Sequence, residues 1–237
     1  MRYLAPASFL YDFALQQYGI FSKPNMVDIH NQNLAAFSPY YAFIGAFFFP
    51  QQICQLVWLW RVWRQEGDEG ECAMMNRFGW VYSLGNVCIG SIELTRTMIA
   101  WMFFWNANNL PVANIFVIIN TVAQLGYIAT QLEPLDTGST ANLLTHIVAK
   151  TFAGIGVLDL LHNTAAAYYV GVPPSSFVQV ATGVGFAAAA SMSDWIFGGC
   201  LVYDLVALSV GQTGSWSRLL GGYAAMTAGI VAWRNFF

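Results

Sequence analysis

Residues 112–131 run for 20 positions without one charged side chain. As a helix rising 1.5 Å per residue, that stretch is about 30 Å long, the thickness of a bilayer's hydrocarbon core. One such run is compatible with a buried helix of a water-soluble protein. Here comparable runs recur at 40–60, 78–105, 143–170, 175–210 and 216–233, separated by short polar punctuation. Only 9% of the 237 residues are charged and 57% are hydrophobic, against about 25% and 45–50% in soluble domains. There is too little charge to cover a water-facing surface. Nine tryptophans fit belts at a membrane interface.

The expected fold class is therefore all-α: a polytopic transmembrane helix bundle of about seven spans (six to seven), with no soluble domain. A single transmembrane helical domain would cover residues 1–237. Residues 1–34, beginning MRYLAPASFLYDFALQQYGIF, lack the apolar core and cleavage site of a signal peptide. They read as an amphipathic segment lying in the interface or packed under the bundle. The charged stretch 61–77 reads as a loop, and Arg61, Arg64 and Arg77 assign it to the cytoplasmic side. Residues 175–210 are the hard case, because one straight helix would be about 54 Å long. The expectation is a break near Ser191–Asp194, with Asp194 as a helix cap and Trp195 as an interfacial anchor. Two small-residue ladders, Ala149/Ala153 and Gly221/Ala225/Gly229, predict faces where helices approach closely.

The net charge of −3 and the lack of a basic run argue against nucleic acid as a partner. The four cysteines form no CxxC pair, so neither a zinc site nor a disulfide framework is indicated. No HExxH, GxSxG or DDxxD pattern occurs. That argues against zinc protease, serine hydrolase and magnesium-diphosphate ionisation chemistry. The expectation is accordingly no cofactor and no metal.

Ionisable residues inside apolar runs carry the functional signal, because they are costly there unless paired or wet. Glu93 and Arg96 are three apart and predict a self-satisfied ion pair. His146 and Lys150 share a face early in their run, where a lysine can snorkel. The sharpest pattern is GVLDLLHNTAAAYY. In it Asp159, His162, Asn163 and Ala166 follow i, i+3, i+4, i+7, a polar stripe on one helix face. Asp204, on the face Ser193, Phe197, Cys200, Asp204, is the candidate for the opposite wall. Asp159, His162, Asn163 and Asp204 are thus the candidate catalytic residues. Asp159 is cast as the essential acid, and His162 and Asn163 as setting its protonation and orientation. A helix-tying hydrogen-bond network fits the same stripe.

The phrases SKPNMVDIH, FFFPQQICQLVWLWR, AWMFFWNANNL, FAGIGVLDLLHNT and SDWIFGGCLVYDLVALSVGQ together resemble a group of small polytopic membrane proteins of filamentous fungi. The resemblance implies a multi-pass membrane protein and assigns no activity. Size and span count are similar to those of the membrane-embedded terpene cyclases of fungal meroterpenoid pathways. That likeness is of architecture, and no catalytic residue follows from it.

Three functions fit these residues. The first is an acid-initiated cyclase or isomerase in an endomembrane such as the endoplasmic reticulum. Its partners would be the lipid bilayer and a lipophilic, isoprenoid-type substrate of fungal specialised metabolism. A carboxylic acid kept dry can donate a proton, and aromatic faces can stabilise the resulting cation. The second is a proton-coupled carrier or channel using Asp159 and His162 as a relay. The third is a non-catalytic scaffold. A dry aromatic pocket favours the first, repeat symmetry the second, and a polar stripe consumed by helix–helix bonds the third.

Overall fold

The computed structural model describes residues 1–89 and 101–237. The expected Glu93–Arg96 pair lies outside the described residues. Those residues form ten α-helices and no strand: α1 (Leu4–Phe21), α2 (Met26–Gln32), α3 (Tyr41–Arg64), α4 (Glu69–Ile89), α5 (Trp101–Asn106), α6 (Leu110–Thr130), α7 (Thr140–Tyr168), α8 (Ser176–Met192), α9 (Trp195–Gly211) and α10 (Gly214–Phe236). Among them α3, α6 and α7 are long and apolar enough to cross a membrane. Helices α8 and α9 are apolar but have 17 residues each, about 25 Å of rise.

The longest helix, α7, is the spine. Its first half contributes Val148, Ala149 and Phe152 to a core with Ala5, Trp58, Phe78, Tyr82 and Tyr127 from α1, α3, α4 and α6. Its second half contributes Ile155, Leu158 and Ala165 to a separate core with Leu201, Leu205, Leu208, Leu220 and Ala224 from α9 and α10. Ala149 and Ala153 are fully buried, as their ladder predicts.

Helix starts follow local chemistry. Asn25 and Asp28 close a capping box on α2. The Ser139 hydroxyl accepts from Asn142 N at 3.0 Å and starts α7. The 175–210 run breaks at Ser193–Asp194, and Asp194 caps α9 by accepting from Ile196 N and Phe197 N at 3.2 and 3.1 Å. The charged stretch 61–77 is less of a loop than its composition suggests. Helix α3 continues to Arg64, and α4 already begins at Glu69. Asp68 accepts from Glu71 N while its own N–H donates to the Glu71 carboxylate, a reciprocal cap that turns the chain into α4 and buries Met74 and Met75.

Helix α1 lies lengthwise along α4, since Ser8 meets Asn86 and Met1 lies against Gly79. At the far end of the molecule the 38–40 segment presses on the end of α9. Tyr40 N donates to Ala207 O at 3.0 Å, and Gln212 Nε2 donates to Ala35 O and Ser38 O at 3.0 and 2.8 Å. A Cβ on Gly211 would stand 2.4 Å from Ser38 O, Pro39 C and Tyr40 N.

Only the first rung of the Gly221/Ala225/Gly229 ladder faces a helix: a Cβ on Gly221 would stand 3.1 Å from Ser209 Oγ of α9. Ala225 and Gly229 are exposed, and a Cβ on Gly229 would meet nothing within 4 Å. The buried face of α10 is instead Trp216, Leu220, Ala224, Thr227 and Val231, whose larger side chains fill the contact with α8 and α9. Ala225→Leu should therefore leave the melting temperature of the detergent-solubilised protein unchanged. Ala224→Leu, one residue away, should lower stability by about 1–3 kcal/mol through overpacking, and a thermal melt of both variants checks the contrast.

Candidate functional site

Helices α7 and α9 run parallel. Lys150 forms an ion pair with Asp194 at one end, and Gly154 abuts Cys200 one turn on, where a Cβ would come within 2.3 Å of Cys200 Cβ. The Lys150 ammonium also reaches His146 Nδ1 at 2.7 Å. Lys150 is therefore engaged inside the bundle and does not snorkel. Asp194 serves two purposes, since one carboxylate oxygen caps α9 and the other pairs with Lys150.

The same register brings Asp204 level with Leu158 and Asp159. Asp204 is fully buried, and neither carboxyl oxygen has a hydrogen-bond partner among the described residues. Asp159 is half-buried. Asn163 Nδ2 donates to the backbone carbonyl of Asp159 at 2.9 Å, not to its carboxylate.

His162 and Asn163 turn elsewhere. His162 Nε2 lies 3.2 Å from His30 Nδ1, and its Nδ1 lies 3.5 Å from the buried Ser38 hydroxyl. The Trp105 ring packs against it with centroids 5.6 Å apart. Asn163 Oδ1 accepts from Trp101 Nε1 at 2.7 Å. Helices α2, α5 and α7 are therefore knotted together by His30, Trp101, Trp105, His162 and Asn163. Along the stripe, His162 and Asn163 tie helices together, and neither bonds the Asp159 carboxylate.

Sequence reasoning missed His30, Ser38, Trp101 and Trp105. His30 had one local signal, because the Asn25–Asp28 capping box sets α2 and thereby the direction of its last turn. The partner, 132 residues away, left no local trace. Helix α2 lies outside the long apolar helices, and burial there lowers the pKa of His30. A histidine lowered in the folded state is protonated first in the unfolded chain. Its contribution to stability is complete above the unfolded pKa of about 6.5 and is lost as the pH falls below it. The melting temperature should therefore drop between pH 7 and pH 5, and the drop should be smaller in His30→Gln. Equal pH slopes in the two proteins would refute the assignment.

An apolar groove of about 320 Å³ lies between α6, α7, α8 and α9, lined by Leu125, Val157, Leu161, Phe186, Phe197 and Leu201 with small residues of α8. Phe197 and Leu201 precede Asp204 by seven and three residues, on the same face of α9. Groove and buried acid are thus neighbours along one helix. Among the described residues no group of three or more His, Cys, Asp or Glu is placed to hold a metal ion. No known protein family, curated protein or solved structure matches this chain.

Proposed function

We propose that the chain is a multi-pass membrane protein that crosses an endomembrane about seven times and uses Asp204, with Asp159, as the acid of an isomerase or cyclase acting on a lipophilic, isoprenoid-type substrate. Three long apolar helices support the membrane reading. So do the large apolar side chains exposed on outer faces, among them Phe49, Val122, Phe177, Val180 and Val184. Water would penalise each of these by about 1.5–3 kcal/mol relative to burial, whereas lipid would not.

The observation that carries the catalytic reading is Asp204: fully buried, unpartnered at both oxygens, and next along its helix to an apolar groove. An ionised carboxylate in that setting costs several kcal/mol, so the proposal gives Asp204 its proton. In the proposed reaction that proton adds to a carbon–carbon double bond of a chain lying in the groove. The cation so formed closes or shifts a bond and loses a proton from another carbon to the Asp159 carboxylate. Asp159 passes that proton back to Asp204, which restores the acid. His162 and Asn163 hold α2 and α5 against α7 and take no part in the transfer.

Deuterium labelling tests the reading. Cells that make isoprenoids are grown in D2O with and without the protein, and their lipid extracts are compared by mass spectrometry. The expected result is a new lipophilic product with deuterium on a carbon that does not exchange with solvent. A product set identical with and without the protein, at verified membrane abundance, would remove the enzymatic reading and leave the acids to a proton-coupled carrier.

A further inference from the structure

The acid site leaves a second buried polar cluster unused. Helices α1, α3 and α4 each supply an i, i+4 pair to it: Ser8 and Asp12, Gln51 and Gln55, Tyr82 and Asn86. All six residues are 5% exposed or less. Asn86 Nδ2 donates to Ser8 Oγ at 3.1 Å, Tyr82 OH to Gln55 Oε1 at 2.7 Å, and Gln55 Nε2 to Gln51 Oε1 at 2.6 Å. Gln16 Nε2 donates to Asp12 Oδ2 at 2.7 Å. Asp12 lies one turn along α1 from Ser8, whose hydroxyl accepts from Asn86. Tyr11 and Tyr82 are the titratable groups near it among the described residues.

This network is incomplete in a particular way. Asp12 Oδ1, Asn86 Oδ1 and Gln51 Nε2 are buried with no hydrogen-bond partner among the described residues. Buried polar atoms are nearly always satisfied, and here a carboxylate oxygen and two amide atoms from three helices call for a shared partner. Its chemistry follows from the groups of the cluster. Among the described residues it holds one carboxylate, and the remaining oxygens, from hydroxyls and amides, are neutral. A calcium-like ion prefers several carboxylates, and softer metals require nitrogen or sulfur. One carboxylate with neutral oxygens balances a single positive charge. The Gln51 amide is a donor suited to a water carried in with it.

We propose that Ser8, Asp12, Gln51, Gln55, Tyr82 and Asn86 form a binding site for one monovalent cation, as sodium or as hydronium, between α1, α3 and α4. The site is separate from Asp204 and does not rest on the reading of that residue.

The test uses the purified full-length protein in lipid nanodiscs. Thermal melts are recorded in sodium chloride and in choline chloride at equal ionic strength, from pH 6 to pH 9. If sodium is the occupant, saturating sodium raises the melting temperature at pH 8 by about 5 °C over choline. If the proton is the occupant, sodium has no effect and the melting temperature falls as the pH rises. In both cases Asp12→Asn abolishes the response to sodium or the fall above pH 7, where His30 is already neutral, and Asp204→Asn preserves it. A wild type and an Asp12→Asn protein that respond identically to sodium and to pH would overturn the proposal. Should Asp12→Asn fail to fold, Gln51→Met keeps the charge and removes the orphan donor. It should move the half-saturating sodium concentration about tenfold, or the pH midpoint by about one unit. An unmoved midpoint would also overturn it.

Discussion

Asp204→Asn should reduce product formation by at least about 100-fold while the protein accumulates in the membrane at the parent's level. Two opposite effects of one substitution produce this result. The amide has nearly the size of the carboxyl and sits in the same space, and among the described residues the carboxyl has no hydrogen bond to lose. Replacing an unpartnered buried acid is therefore neutral or mildly stabilising for the fold. The amide cannot donate the proton, and general acids contribute about 10²- to 10⁴-fold to rate. Asp159→Asn should cost less, because in the proposed reaction Asp159 only recycles the proton that Asp204 donates. Full activity of Asp204→Asn at normal abundance would end the acid reading. Loss of abundance would show that Asp204 is structural.

Gly211→Ala should prevent accumulation of the folded protein, a cost of about 3 kcal/mol or more from one methyl group. The reason is what the methyl meets. At Gly211 an added Cβ would lie 2.4 Å from three backbone atoms of residues 38–40, and backbone cannot rotate away as a side chain can. The segment would have to lift off α9. That would break the Tyr40–Ala207 bond and both Gln212 bonds and move Ser38 from His162. Gly229→Ala is the control, since its Cβ would enter open space. Fluorescence-detected size exclusion of the two variants reads the difference. A monodisperse Gly211→Ala peak at parental yield would contradict the packing at this junction.

Some of this architecture is legible in the sequence. The break before α9 could be read from length alone, because 36 residues make too long a rod for a bilayer, and Asp194 is a capping residue at the right place. The early start of α4 was also readable. Asp68 and Glu71 have capping-box spacing, but the charge of the surrounding stretch suggested loop and masked it. The α10 ladder misled for a different reason. Small residues at i, i+4, i+8 permit close approach but do not require it, and on α10 the larger residues of the adjacent face make the contact.

The candidate site was half legible. A sequence shows which residues share a helix face, so it grouped Asp159, His162 and Asn163. It does not show which partner each side chain meets. His162 finds His30, Asn163 finds Trp101, and Lys150 finds Asp194, all far off along the chain. Asp204 gains its importance only from what is absent around it, and absence of a partner has no sequence signature.

The division of α7 between two cores sets an order of assembly. Every residue of the first core lies at or before Phe152, so that core has all its parts once the middle of α7 has been synthesised. The second core draws on residues as late as Ala224. For the interval in which α8, α9 and α10 are made, one half of α7 is docked while the other presents Ile155 and Leu158 to whatever surrounds it. The nascent chain thus uses α7 first as a lid on finished structure and then as a template for unfinished structure. The residues of α7 that wait longest for their partners are those that will face Asp204.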